Sequence, residues 1–322
     1  MTTVVPAEGT LLDRVLATSA LHDKAGLGRQ AYGRCDAAQM KTAWGRAHQQ
    51  RFALVDEGEL LAGATHYRMA GVLDGRPVQV CGIGDVFTEP VHGGGDDARR
   101  LVEGLLDDAT REGAALALLF LDKDAAWCDR NSFERIATTD IELRVAQSPN
   151  RGAPMTLVRG GEERDLAAIV AMGQVRAAPF RFHLDRDVDF VQYAVTRKRL
   201  QAGLGPPDAR QLQFFIAEEG VTAAAYIVVS VAGSTWTIEE CGDRDPSGAR
   251  VGALLQALIA REPVERRPTI HGWLPPGFVP PQITIVSATP SSEILLVRSL
   301  GSAAGGSGLS DGDVLYWRSD VF

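Results

Sequence analysis

Residues Gly84 to Leu101 read GDVFTEPVHGGGDDARRL, a run in which a strand end, three consecutive glycines and a helix start follow one another. Side-chain alternation predicts a strand over Gln79 to Thr88, and apolar spacing predicts a helix over Asp97 to Glu112. Glycines in this position expose backbone N–H groups beside the positive end of the helix dipole. The loop at Gly93 to Gly95 therefore predicts a phosphate site.

Two common phosphate-binding motifs do not fit these glycines. A P-loop carries Lys and Ser or Thr after its glycines, whereas Asp96 and Asp97 follow here. The dinucleotide motif needs a third glycine after Gly82 and Gly84, and Phe87 stands at that position. An ordinary turn capped by the two aspartates is the competing interpretation, because carboxylates stabilise a helix N-terminus and repel phosphate.

The same order of elements occurs twice in the chain. Arg51 to Gly58 (RFALVDEG) and Gln213 to Gly220 (QFFIAEEG) both run from an apolar strand into an acidic turn, at an offset of 162 residues. A second alternating strand follows each turn, which is typical of a hairpin. A strand, a turn and a helix come next in both halves. The sequence therefore predicts a duplicated α/β fold, or an α+β fold with a mixed sheet.

Turn-forming residues between Gln147 and Pro154 predict the boundary between the two copies. We expect an N-terminal domain over residues 1–150 and a C-terminal domain over residues 151–322. The patterns also predict helices over Leu11 to Leu27 and Ala37 to Gln49 at the start of the first half. A helix over Glu162 to Val175 is expected to open the second half.

Composition disfavours several classes of protein. The chain has 322 residues, of which 45% are apolar, so it can bury substantial cores and is not disordered. A net charge of -8 argues against a nucleic-acid partner, and no apolar run is long enough for a membrane helix. Four dispersed cysteines without a CxxC pair predict neither a metal site nor a disulfide scaffold. With no secretory signal at the start, we expect a cytoplasmic protein.

The order of these segments resembles the GCN5-related N-acetyltransferases. The strand at Val86-Phe87-Thr88, the glycine loop, the helix, the apolar run Leu116 to Phe120 and the segment Trp127 to Phe133 follow as in that family. Two copies in one chain resemble its tandem members, above all the enhanced-intracellular-survival acetyltransferases. The resemblance implies tandem acyl-CoA N-acyltransferase domains that use acetyl-CoA or another acyl-CoA and no metal. It also implies a small-molecule amine or a lysine-type side chain as acceptor.

The resemblance assigns the cofactor site to the first half. The strand segment that pairs with the pantetheine arm in the family corresponds to Val86, Phe87 and Thr88. The residues that correspond to the pyrophosphate loop include Gly93, Gly94, Gly95 and Ala98. Of these, only Ala98 matches the family pattern Gln/Arg-x-x-Gly-x-Gly/Ala. We expect the Glu239 to Arg250 turn of the second half to be solvated or salt-bridged, and a second cofactor site is the competing interpretation. The resemblance implies that the second domain shapes the acceptor cleft.

Acyl transfer to an amine needs a group that takes a proton and a group that supplies one to the thiolate. Asp85, just ahead of the cofactor segment, is the predicted base, and a strand residue facing solvent is the competing interpretation. Cys128 stands where the family has its tyrosine acid, although a buried structural cysteine is the commoner state. His66 and Tyr67 alternate on the neighbouring strand, so only one can face the cleft.

Transfer of an acyl group to an amine by direct attack is therefore the predicted activity. The alternative is a catalytically inactive tandem module that binds a small molecule or a protein partner, because Asp96, Cys128 and Ser132 replace residues of the family pattern. The apolar, proline-rich segment Pro275 to Val286 could pack against a second copy of the chain, so the sequence is compatible with a homo-oligomer.

Overall fold

Seven α-helices and sixteen strands occur in the computed structural model, which describes residues 1–23, 25–90, 95–122, 132–146, 157–206, 209–301 and 307–321. The helices are α1 (Gly9–Ser19), α2 (Arg29–Gln39), α3 (Ala43–His48), α4 (Gly95–Arg111), α5 (Leu166–Ala177), α6 (Val188–Leu204) and α7 (Ala249–Ile259). The strands are β1 (Thr3–Pro6), β2 (Gln49–Asp56), β3 (Glu59–Leu73), β4 (Arg76–Thr88), β5 (Leu116–Asp122), β6 (Glu134–Ile136), β7 (Thr139–Val145), β8 (Leu157–Gly160), β9 (Phe182–Leu184), β10 (Gln211–Glu219), β11 (Thr222–Ala232), β12 (Thr235–Asp243), β13 (Thr269–Gly272), β14 (Ile283–Pro290), β15 (Glu293–Ser299) and β16 (Val314–Leu315). Within these ranges, no helix has the length and apolar character needed to cross a bilayer.

The strands form two mixed sheets with the same plan. The first has the order β1-β2-β3-β4-β5-β15-β6, and β9 pairs with β3 while β16 pairs with β9. The second has the order β8-β10-β11-β12-β13-β7-β14. In each sheet an antiparallel meander leads to a parallel pair, β4 with β5 or β12 with β13, joined through α4 or α7. The predicted α/β fold with two tandem copies is confirmed.

Both repeated hairpins close through a two-residue turn. In the first, Asp56 pairs with Glu59 across a two-residue turn, and in the second Glu219 pairs with Thr222. Glu57 and Gly58 both have positive φ, +49° and +86°, as the right-handed twist of a tight hairpin requires. In the second hairpin the central residues are Gly220 and Val221, and of these two Gly220 has the positive φ, +65°. Both acidic-glycine segments therefore form tight turns, with the glycine second in the first turn and first in the other.

Strand β5 is buried on both faces of the first sheet. Leu116 and Leu118 belong to one hydrophobic cluster and Ala117 and Leu119 to another, and none of the four is more than 1% exposed. Helix α4 covers one face through a stripe of buried residues: Leu101, Val102, Leu105, Leu106 and Ala109. The helix predicted over 97–112 is thus confirmed, with its start two residues earlier.

Strands cross between the two halves: β9, β15 and β16 of the second half join the first sheet, and β7 of the first half joins the second sheet. Strand β15 of the second half lies between β5 and β6 of the first sheet, with Leu296 opposite Leu119. Strand β7 of the first half lies between β13 and β14 of the second sheet. The division at residue 150 stays a prediction about the domains, and three strands cross it in one direction and one in the other.

Helical boundaries in the first half differ from the predicted ones. The helix predicted over 11–27 ends at Ser19, and the helix predicted over 37–49 consists of the end of α2 and a separate α3. The break has a local cause, because Thr42 accepts a hydrogen bond from the Gly45 N–H at 3.0 Å and begins a new helix. A side chain at Gly45 would lie 2.2 Å from the Gln39 carbonyl oxygen, so the two helices meet tightly.

Burial of His66 links stability to pH. Its ring lies against Phe52 at 5.9 Å, and burial, together with nearby Arg68, lowers the pKa of His66 to about 4. Above about pH 6.5 the folded and unfolded chains both hold a neutral His66, and the full stability is present. As the pH falls from 6.5 towards 4, only the unfolded chain takes up the proton, and the free energy of unfolding drops by about 2 kcal/mol at pH 5.

Urea unfolding at pH 8, 6 and 5 would measure this dependence. His66→Gln is expected to flatten the decline between pH 6.5 and 4, because the depressed imidazole no longer contributes. His22→Gln, at an exposed position, is the control and should keep the slope of the wild type. Equal slopes for wild type and His66→Gln would contradict the assignment.

Candidate functional site

A cleft of about 760 Å³ lies between the two halves. The first half lines it with Asp23 after α1, with the end of β4 and with Phe120 of β5. The second half lines it with residues of α6, β11 and β12, and with Arg318 and Val321 near the C-terminal end of the chain. Groups from both copies therefore face the same space, which is where a site shared between them would form.

Strands β4 and β5 diverge at this cleft. Their parallel pairing ends at Ile83 and Leu119, although β4 continues to Thr88. At the same point Asp85 and Val86 together oppose a single residue of β3, which is a β-bulge. On the β5 side, the backbone from Asp85 to Thr88 has no strand partner among the described residues. Its N–H and C=O groups can therefore bind an extended ligand.

Asp85 stands at the bulge with three donors around one carboxylate oxygen. Its Oδ2 accepts hydrogen bonds from Tyr32 Oη at 3.2 Å, Arg51 Nη1 at 3.0 Å and Thr65 Oγ1 at 3.1 Å. Arg51 is itself buried and also pairs with Asp36 at 2.9 Å. The other oxygen of Asp85, Oδ1, has no donor in the described part of the chain, and the side chain is 37% exposed. The network orients the carboxylate and leaves one oxygen for a ligand.

A smaller polar cavity of about 70 Å³ adjoins Asp85. Tyr67, Arg197 and Val321 are among the residues that line it, and it has room for a few water molecules. Burial raises the pKa of Tyr67 well above its ordinary value of 10, so the phenol stays neutral. Of the two candidates on β3, Tyr67 thus lies beside Asp85, while His66 packs on the other face.

The three predicted strand residues line the cleft beside Asp85. Val86, Phe87 and Thr88 all contribute to its wall. The Phe87 ring is buried, and it packs so closely on β3 that a side chain at Gly63 would come within 2.4 Å of it. The Phe87 side chain therefore packs against β3. A ligand in the cleft would contact the backbone of the segment Val86 to Thr88.

The predicted glycine loop is described only at its end. Gly95 is the first residue of α4, and Ala98 is buried in the first turn. Gly93 and Gly94 lie outside the described residues, and so does Cys128, the predicted acid. Among the predicted site residues that it describes, the structure brings Asp85 together with the strand segment Val86 to Thr88.

Two aspartates and two arginines lie close together at the start of α4. Asp96 pairs with Arg99 at 2.7 Å and with Arg100 at 2.9 Å, and both arginines are about half exposed. The hydrogen bond from Arg99 lowers the pKa of Asp96. These pairs offset the negative charge of Asp96, which would otherwise repel a phosphate. The two guanidinium groups stay partly exposed near the helix N-terminus.

The corresponding helix terminus in the second half is filled by the protein's own side chains. Asp243 Oδ2 accepts hydrogen bonds from the N–H groups of Arg250 at 2.8 Å and Val251 at 3.2 Å. Arg250 forms a two-point pair with Glu219 at 2.6 and 3.0 Å. A side chain at Gly252 would lie 1.9 Å from Gln282 Oε1. The turn is salt-bridged as predicted, and its carboxylate occupies the anion position.

The second half also has a divergent strand pair, but little space beside it. Pairing of β12 with β13 ends at Ile238 and Gly272. Beyond that point Glu240 is buried and accepts hydrogen bonds from Arg186 at 2.8 and 2.7 Å and from Ser319 at 2.7 Å. Arg186 also lines a cavity of only about 30 Å³. Of the two equivalent positions, the one in the first half has room for a substrate.

Solved structures with a similar fold match most of the chain. A GCN5-related N-acetyltransferase from Kribbella flavida is 17% identical, covers 93% of this chain and 71% of its own, and has a TM-score of 0.66. The fold is that of the GCN5-related N-acetyltransferases. A member of that group from Anabaena variabilis (13% identical, 92% and 72% coverage, TM-score 0.63) and Eis1 from Mycobacterium abscessus (15%, 92% and 73%, TM-score 0.58) are also similar. No protein-family model matches the sequence, and no curated protein does either.

In this N-acetyltransferase fold, the second half supplies a charged wall to the cleft. Lys198 pairs with Glu239 at 3.0 Å, and the two side chains are 18% and 8% exposed. Burial opposes ionisation of Glu239, but Lys198 and a 2.6 Å hydrogen bond from Ser230 hold the pKa of this carboxyl below its ordinary value. Arg318 pairs with Asp140 at 2.6 Å. These residues come from elements outside the first copy's strand-loop-helix run.

Sequence reasoning missed the residues that hold Asp85 in the acetyltransferase fold. Arg51 begins the apolar run of β2, and a charge at an inward position of an alternating strand is a usable signal. Tyr32 and Thr65 carry no such signal, because their roles depend on contacts with residues 53 and 20 positions away.

Proposed function

We propose that this protein is an acyl-CoA-dependent N-acyltransferase that moves an acetyl or other acyl group to a primary amine. One observation carries the proposal: β4 bulges and separates from β5 beside the 760 Å³ cleft. The equivalent position in the second half is occupied by the buried Glu240 and its hydrogen-bond partners Arg186 and Ser319. The similar solved structures are N-acetyltransferases by their names, which supports the same chemistry. We propose a cytoplasmic enzyme without a metal.

The first half would hold the acyl-CoA. The unpaired backbone at Val86, Phe87 and Thr88 suits the amide groups of the pantetheine arm, since both are extended and carry alternating donors and acceptors. The N-terminal end of α4, with the predicted loop before it and the exposed Arg99 and Arg100 beside it, suits the phosphates. In this proposal the loop residues are Gly93, Gly94, Gly95 and Ala98.

Asp85 would take the proton that frees the amine. An ammonium group at Oδ1 of Asp85 loses a proton to it, directly or through water in the adjoining cavity. The nitrogen then attacks the thioester carbon, and N–H groups at the bulge stabilise the negative oxygen. The C–N bond forms and the C–S bond breaks. The thiolate takes a proton from Cys128, the predicted donor, and leaves as the thiol. The second proton of the attacking nitrogen restores Cys128, and the first passes from Asp85 to solvent.

Thermal unfolding with acetyl-CoA tests the proposed cofactor site. At about 100 times its dissociation constant, a ligand stabilises the folded state by about 2.7 kcal/mol. For a chain of this length, that raises Tm by about 4 °C. Gly94→Glu puts a negative charge in the predicted phosphate loop and is expected to abolish the rise. Ser247→Glu puts the same charge on the exposed turn before α7 and should leave the rise intact.

Three outcomes of this experiment discriminate between the candidate functions. A rise lost only in Gly94→Glu, together with thiol release in the presence of an amine, supports the proposal. A rise without thiol release for any amine favours the inactive binding module. No rise with acetyl-CoA or with longer acyl-CoAs overturns the transferase proposal.

A further inference from the structure

The two walls of the cleft carry different charges. The first-half wall carries two carboxylates, Asp23 and Asp85, and no lysine or arginine among its described lining residues. The second-half wall carries three cations, Lys198, Arg210 and Arg318, and two carboxylates. The space between them therefore has an acidic side at the bulge and a basic side opposite.

Ion pairs neutralise most of the charges on the second-half wall. Lys198 faces Glu239 at 3.0 Å, and Arg318 lies 3.5 Å from Glu293 in addition to its pair with Asp140. Arg210 differs, because it forms no ion pair with any described residue and its side chain is exposed. Among the described lining residues of that wall, Arg210 is thus the cation without an ion-pair partner, and its guanidinium is open to the cleft.

This distribution disfavours an acceptor that places a second ammonium group on the second-half side of the cleft. A second ammonium group on the acceptor would meet Arg210, and the wall's two carboxylates already have cationic partners. An acceptor with one amine and one anionic group fits instead, its amine at Asp85 and its anion at Arg210. A single guanidinium matches a singly charged carboxylate, which it can bind through two parallel hydrogen bonds.

We infer that the amine acceptor also carries a carboxylate, as an amino acid does, and that Arg210 recognises it. The inference rests on the proposed acyl transfer and adds the class of acceptor. Arg210 is the specificity-determining residue, and Asp85 faces the reacting amine.

Matched pairs of amines test the inference through acetyl-CoA-dependent thiol release. Each pair differs only in the carboxylate: phenylalanine and phenethylamine, methionine and 3-(methylthio)propylamine, lysine and cadaverine. Wild type is expected to prefer the carboxylate member by about tenfold or more in kcat/KM. Arg210→Gln should remove that preference through a higher KM for the carboxylate member. The bare amines and the acetyl-CoA-induced rise in Tm should be unchanged, as they should be in the control Arg266→Gln, at an exposed position outside the cleft lining.

Each result separates this inference from the proposed function. Turnover of the bare amines or of spermidine at equal or higher kcat/KM overturns the inference and leaves acyl transfer standing. An Arg210→Gln variant that raises the KM of acetyl-CoA and not that of the acceptor also overturns it, because Arg210 then contacts the other substrate. Absence of thiol release with every amine removes the proposed function and the inference together.

Discussion

Asp85→Asn is expected to lower kcat for acyl transfer by about 10²- to 10⁴-fold, the range that a general base contributes. Asparagine keeps the size of the side chain and can still accept hydrogen bonds from Tyr32 and Thr65, but it cannot take a proton. Arg51 keeps its pair with Asp36 at 2.9 Å, so the buried cation is not left alone. The acetyl-CoA-induced rise in Tm should therefore persist in this variant.

Steady-state kinetics that compare Asp85→Asn with Asp23→Asn would measure the loss of kcat due to the base alone. Asp23 lines the same cleft, and its Oδ2 accepts a hydrogen bond from the Leu27 N–H at 2.7 Å, so it is a matched carboxylate with a local structural partner. We expect Asp23→Asn to change kcat by only a few-fold. A large loss in Asp23→Asn with near-normal activity in Asp85→Asn would assign the base to Asp23 and contradict our proposal.

Residues 1–150 expressed alone are expected not to fold, and the same holds for residues 151–322. Without β15, the doubly buried strand β5 becomes an open edge whose apolar side chains and backbone groups lack partners. Without β7, strand β13 loses its antiparallel neighbour and β14 loses its connection to the second sheet. Co-expression of the two fragments restores all four exchanged strands and should recover soluble protein.

Solubility, circular dichroism and urea unfolding of the fragments would check this expectation. A point variant measures the same dependence in the full chain: Leu296→Ala, at a fully buried position opposite Leu119, should cost about 2 to 5 kcal/mol. Val286→Ala, on the exposed strand β14, should stay within about 0.5 kcal/mol. Cooperative unfolding of isolated residues 1–150 would show that the strand exchange is dispensable.

The cleft shows how far reasoning from the sequence could reach. The strand at Val86 to Thr88 was predicted because alternation and apolar runs are properties of neighbouring residues. Asp85 was predicted from its place ahead of that segment, and the structure puts it in the cleft with the segment. Lys198 and Arg210 could not be predicted as part of the site, because they come from the second half and reach the cleft only when the halves pack.

Helix α6 also escaped prediction, for a related reason. Its buried residues lie on more than one side, because it packs against α2 and α3 of the first half and against α5 and β10 of the second. Such a helix lacks the single apolar stripe by which an amphipathic helix is identified. Tyr193, buried in this helix, donates a hydrogen bond to Gln49 at 2.8 Å, a partner 144 residues away.

The sequence alone determined the local order of this protein: the two hairpins with their acidic-glycine turns, the strand-turn-helix run in each half, and hence the duplicated α/β fold. These features depend on periodicity and turn chemistry within a few residues. Only the tertiary structure decided which copy each of β7 and β15 joins, because the pairing depends on residues far apart in the chain, such as Leu296 opposite Leu119. It also decided which charges share the cleft, since Arg51 reaches Asp85 across 34 residues and Lys198 reaches Glu239 from another element.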